Sequence, residues 1–171
     1  LIACLFLAAQ AQAAEPATDV QQAAAALAPF KRDLLAALTE GLAKGPENAV
    51  DACRVRAPDI ASAASTPVLE VGRTSHKLRN PANAPREWMK PLLADYLARP
   101  DDRVPKLVDL PDGRKGYVEP IIVQPMCTTC HGTQVAEAVR TRIHALYPSD
   151  QATGFAAGDF RGLFWMEMGP R

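Results

Sequence analysis

This chain has no basic run, no long apolar run and no recognisable catalytic constellation. Its 19 Lys and Arg balance 19 Asp and Glu across 171 residues, so neither nucleic acid nor an anionic membrane surface is an expected partner. The apolar run at the start, Leu1 to Ala9, falls well short of the ~20 residues that span a bilayer, and no stable membrane span is expected. An acid pair at informative spacing, a phosphate-binding loop and a nucleophile elbow are all missing, so the chain does not read as an enzyme. Cysteine and histidine are scarce, at four and three residues.

Those few residues are not scattered. Cys127-Thr128-Thr129-Cys130-His131 is a C-x-x-C-H run. Two thiols at this spacing can add to the two vinyl groups of a haem, and the adjacent histidine is then placed to bind the iron. Given the composition, such a run arises by chance with odds of roughly one in six hundred, so one covalent haem c is the expected cofactor. Two other readings stay open. A thioredoxin-like pair belongs at a strand-to-helix turn of a βαβ unit, whereas here Pro120 and Pro125 precede the motif and the upstream pattern is a hairpin. A zinc site would take Cys53 as a further ligand and would need the neighbours Cys130 and His131 to converge on one small ion.

Leu1 to Ala9, followed by Gln10-Ala11-Gln12-Ala13-Ala14, has the apolar core and small-residue site of a secretory signal. Residues 1–14 are therefore expected to be a signal peptide and the protein to be periplasmic, a setting that also suits thioether attachment. A lipoprotein anchor at Cys4 is the lesser alternative, because the residues after Cys4 stay apolar. With Cys4 assigned to the signal and two thiols to the haem, Cys53 is left without a partner in an oxidising compartment. It is either a small buried hydrophobe or a thiolate on the iron opposite His131. Val50, Cys53 and Ala57 share one face of a helix that opens at Gly45-Pro46-Glu47. The competitors for that position are Met89, Met126, Met166 and Met168.

Along the chain, residues 18–44 read as a helix with Thr18 or Asp19 as cap, an apolar stripe of Leu27, Phe30, Leu34, Leu38 and Leu42, and a kink or break at Pro29. A second helix carries Cys53, and Pro58 to Ala61 suggests a short third piece. Val68 to Arg73 reads as a strand, residues 79–85 as a Pro/Asn loop, and 86–98 as a helix starting late or bending at Pro91. Residues 104–110 and 115–123 flank Pro111-Asp112-Gly113-Arg114 as a hairpin. Thr133 is the expected cap of a helix carrying Val135, Val139, Ile143 and Leu146, and residues 162–168 form a last strand. Helices followed by strands around a helix predict an α+β fold with a small antiparallel sheet. A four-helix bundle does not accommodate the strand-rich segment 104–125, and small cytochromes c carry the motif near their start.

The separate motifs, in order, resemble one family of single-haem c-type proteins. It is a domain of unknown function with a PAS-like α+β fold, found alone in the periplasm or lumen and as the sensor portion of bacterial signalling proteins. The matching residues are Ala49 to Cys53, Ala57-Pro58, Val71 to Ser75 with Lys77, Arg79-Asn80-Pro81, Asn83, Pro85 and Trp88. Tyr117, Pro120-Ile121, Cys127 to Gly132, Tyr147-Pro148, Asp150, Ala152 to Gly154, Gly158-Asp159 and Arg161-Gly162 complete the match. The resemblance implies residues 45–171 as a PAS-like haem c domain behind an N-terminal helical segment, residues 15–44. It also implies His131 and Cys53 as the two iron ligands. Arg73, Lys77 and Arg79 are either partners of haem propionates or solvated loop cations. Asn80 and Trp88 either line the pocket or pack the loop, and His76 and His144 are expected on the surface.

The expected role is a redox or small-gas sensor in which a diatomic ligand or reduction displaces Cys53. The alternatives are a periplasmic electron carrier and a structural zinc-binding interaction domain. A sensor of this kind needs a separate signalling protein, and a carrier needs a redox partner.

Overall fold

The computed structural model describes residues 18–169; the expected signal peptide and Cys4 lie outside them. Helix α1 (Asp19–Ala43) opens with a capping box, in which the Thr18 hydroxyl accepts from the Gln21 backbone N–H and the Gln21 side chain accepts from the Thr18 N–H at 2.8 Å. Helix α2 (Pro46–Ala64) starts with Pro at its first position, as expected. Both helices run through a proline, so the expected break at Pro29 and the separate piece after Pro58 do not occur. The reason is the side on which each ring sits. Pro29 and Pro58 are exposed, as are Ala25 and Arg54, the residues whose carbonyls lose their helical donors to them. Water can solvate those carbonyls, while the neighbouring Phe30 and Ala57 are buried and hold the helix in line.

The two helices cross closely at Gly41, where a Cβ would stand 2.7 Å from the Ala49 Cα. Beyond them lies a four-stranded antiparallel sheet in the order β1 (Leu69–Thr74), β4 (Phe160–Met168), β3 (Lys115–Ile122), β2 (Lys106–Asp109). One face receives Leu27, Phe30 and Leu34 of α1 and Ala57 of α2 against Val71, Tyr117 and Met166. Burial stabilises large apolar side chains such as these by roughly 1.5–3 kcal/mol each. The opposite face packs on α3 (Met89–Ala98) through Met89, Leu93 and Tyr96 against Val118, Phe160, Leu163 and Trp165. In α3, Pro91 falls in the first turn, where its missing N–H costs nothing.

Helix α4 (Thr128–His131) is a single turn holding the second half of the C-x-x-C-H run. Helix α5 (Glu137–Leu146) packs on α2 through Val139, Ile143 and Tyr147 around Val50. Ala136 rather than Thr133 precedes α5, and it makes no side-chain cap. None of the described helices is long and apolar enough to cross a membrane.

The pairing of β3 with β4 is irregular at one point. Along β3 the register steps from Ile121 opposite Gly162 to Ile122 opposite Phe160, so Arg161 has no cross-strand partner. This is a β-bulge, and it reverses the parity of β4. Phe164 and Met166 face the α1/α2 side, yet Phe160, four residues before Phe164, packs with α3. Gly162 makes the bulge possible, with φ at +155° and a virtual Cβ 2.2 Å from the Thr74 carbonyl oxygen. Gly162→Ala is therefore expected to lower stability by at least about 2 kcal/mol, read as a lower urea midpoint at unchanged m-value; an unchanged midpoint would contradict the close approach.

Candidate haem pocket

The α1/α2 pair stands off one end of the sheet and leaves a cavity of about 380 Å³, a size within the range of small-molecule sites. Apolar residues dominate its wall, among them Leu34, Leu38 and Leu42 of α1, Val50 of α2, Ile121 of β3 and Phe164 of β4. Cys53, Cys127, Cys130 and His131 all line it, and the three thiols are free. A thiol from α2 and the whole C-x-x-C-H run, far apart in sequence, thus share one small space.

His131 is held by its neighbours. Its Nδ1 lies 2.6 Å from the Ala152 carbonyl oxygen, which can only accept, so Nδ1 carries the proton and donates. The Nε2 lone pair is then the free one. Burial, with repulsion from Arg79 and Arg161, pushes the imidazole down to about 3, and it stays neutral at physiological pH. Phe155 meets the ring edge-on at 6.5 Å. Burial likewise raises the Cys130 thiol, while the Cys127 sulfur accepts the Gln124 backbone N–H at 3.4 Å.

Arg79 locks this turn from behind. Its Nε and Nη2 donate to the two carboxylate oxygens of Asp150 at 3.0 and 3.2 Å, and Nη2 also reaches the Cys130 carbonyl at 2.7 Å. Asp150 in turn accepts the Ala152 N–H at 3.0 Å, which sets the carbonyl that orients His131. Backbone bonds from Gly154 to Gly132 and from Phe155 to His131 complete the clamp. Arg79 therefore lines the cavity but is already paired with a carboxylate.

The other expected residues divide. Arg73 and Asn80 line the cavity, and Asn80 also caps the turn Pro81–Asn83 by accepting the Ala82 N–H. Trp88 does not line it. Its indole donates to Glu167 at 2.6 Å, and the ring packs with the α3 core on the far face of the sheet. Glu167, 2% exposed, is also paired with Arg86 and Arg114, so Trp88 belongs to a buried ionic cluster that ties the α3 segment to β4. Lys77 points at the Thr153 carbonyl and the Phe155 ring. His76 is half-buried rather than superficial, stacked on Phe160 and edge-on to Phe155, because the strand end tucks it under the loop carrying Phe155. His144 is exposed as expected.

Of the four methionines, only Met126 touches the cavity, and it sits beside Cys127 in the chain; Met89 and Met166 are fully buried in the two cores. Two further lining residues, Tyr147 and Arg161, belong to the motifs that carry the resemblance, which assigned them no place in the pocket. Tyr147 closes the cavity at the end of α5. Arg161 is turned into the wall by the bulge.

An α+β protein with a helical pair over an antiparallel sheet, enclosing three thiols and a neutral imidazole, defines a restricted class. A model of the Tll0287-like family matches residues 7–168, and the chain belongs to that family. Among solved structures it is similar to the crystal structure of the cyanobacterial heme-protein Tll0287. The two are 25% identical with a TM-score of 0.64, over 88% of this chain and 93% of that one. No curated protein matches it.

Removing the Arg79 charge would strand Asp150, whose side chain is 10% exposed. Arg79→Leu is expected to cost about 3 kcal/mol or more, with part of the loss recovered in the Arg79→Leu/Asp150→Leu double variant. Chemical denaturation of the three proteins measures the coupling; additive losses would show that the pair does not act as a unit.

Proposed function

We propose that this chain is an exported haem c protein that senses redox state or a small gas through an iron held by His131 and Cys53. The observation that carries the reading is the convergence of Cys127, Cys130, His131 and Cys53 on one apolar cavity, with the His131 Nε2 lone pair free. Cys127 and Cys130 form the thioethers, each sulfur bonding one vinyl carbon while its hydrogen goes to the other. His131 ligates through Nε2, its ring fixed by Ala152. The bound haem supplies one-electron chemistry and a coordination position that a diatomic ligand can take. The likeness to a solved heme-protein over most of both chains supports the cofactor.

Cys53 and His131 would hold the iron between them, and a thiolate there would supply electron density that keeps the reduction potential low; with both protein ligands bound no position would be open to a substrate, so the reading is not that of an enzyme. Cys53 sits on α2, a helix packed on both α1 and α5, so loss of the thiolate from the iron would free that helix, and its shift would be the signal to a separate signalling protein. Among the described residues no three His, Cys, Asp or Glu side chains group closely enough to hold a metal ion alone, which weighs against the zinc alternative. Electron transfer remains the second reading. It is favoured by the exposure of Leu35 and Met126 at the cavity mouth, which would leave the cofactor edge accessible to a redox partner.

A pyridine haemochrome spectrum of the exported protein is expected to show a c-type haem, one per chain by iron content. Cys53→Ala should lose the thiolate-ligated spectrum and bind CO when reduced at least tenfold more tightly than wild type. A spectrum unchanged by Cys53→Ala would remove Cys53 from the iron. CO binding by the reduced wild type supports the sensor, whereas retention of both ligands in both oxidation states supports the carrier.

A further inference from the structure

The charges on the cavity wall are all of one sign. Lys31, Arg73, Arg79 and Arg161 line it, and among the described residues no Asp or Glu does. Two of these cations are neutralised from behind, Lys31 by Glu119 and Arg79 by Asp150. Arg73 and Arg161 make no ion pair with any described residue. A cavity with an apolar wall and two uncompensated guanidiniums is built for an amphiphile carrying two negative charges.

Arg161 is the more informative of the two. The bulge at Ile121/Ile122 sets it on the cavity side of β4, where regular alternation from Phe164 would have turned it towards α3. Once there it is held in place, donating through Nη1 to the Ser75 hydroxyl and, at 3.0 Å, to the Lys77 carbonyl, with its guanidinium over the Phe155 ring. These partners fix the direction of the side chain but contribute no negative charge. Burial, together with Arg79 and Arg73, pushes the guanidinium down to about 10, against a smaller opposing pull from Asp150.

Resting on the haem reading above, we infer that Arg161, with Arg73 beside it, is the anchor for the haem propionates, and that the β4 bulge exists to present it. Of Arg73, Lys77 and Arg79, which the sequence offered for that task, Arg79 is a positioning residue for the C-x-x-C-H turn instead. A guanidinium paired with a propionate neutralises charge next to the iron and favours the ferrous form.

The test uses the mature protein with its haem attached. Arg161→Leu is expected to shift the equilibrium with a redox mediator about tenfold towards ferric, which is 59 mV for one electron, and to move the propionate-bending band in resonance Raman. Arg161→Lys, which keeps the charge, should recover most of the potential while the band stays displaced. Should Arg161→Leu fail to accumulate, Arg73→Leu carries the same two readouts, with a smaller shift in the same direction. An unchanged band and potential in the Arg161 and Arg73 variants of a protein with a normal haemochrome spectrum would overturn the anchor and leave the haem reading standing. A wild-type protein without haem would overturn both.

Discussion

The hydrogen bond from Nδ1 of His131 to the Ala152 carbonyl is the interaction on which the cavity depends, and much of the structure is committed to holding it. It selects the tautomer and leaves the Nε2 lone pair free. To hold that carbonyl still, the chain commits Asp150, Arg79 and two backbone bonds between the segment 153–155 and the turn 131–132. The loop itself follows α5, and Tyr147, just past the end of that helix, packs against Val50 of α2. A neutral imidazole in an apolar wall is stable only because the ring cannot easily gain a proton there, with burial and three arginines, Arg79, Arg161 and Arg73, acting in the same sense.

Charge is managed on the two faces of the sheet in opposite ways. On the α3 face Glu167 is buried and surrounded by Arg86, Arg114 and the Trp88 indole, a closed network that ties elements together. On the α1/α2 face the cations outnumber their carboxylate partners, and the surplus points into the cavity. The first arrangement needs nothing further. The second leaves Arg73 and Arg161 without a carboxylate partner among the described residues, so the same residue types are closed into a network on one side and left facing a cavity on the other.

Much of the architecture was legible because its signals are local. The Thr18 cap, Pro46 at a helix start, the Pro111 to Arg114 turn and the C-x-x-C-H run each act within a few residues, and each sits where the pattern put it. The two prolines misled because their effect depends on which side of the helix meets water, and that is decided by what packs against Phe30 and Ala57. Trp88 misled for a similar reason: an aromatic in a run of recognisable motifs can serve the pocket or the far core, and only its hydrogen bond to the distant Glu167 decides.

The sequence by itself determined the chemistry of this protein: one histidine beside two thiols at haem spacing, one further thiol on an apolar helix face, and an α+β order of elements. The tertiary structure decided which groups share a space and which are already committed. It brought Cys53 into the same cavity as the C-x-x-C-H run, paired Arg79 with Asp150, and turned Arg161 inward through a bulge. Covalent spacing is a property of the chain and can be read along it. Charge compensation and side-chain direction at a bulge are properties of neighbours brought together by folding, and no run of residues contains them.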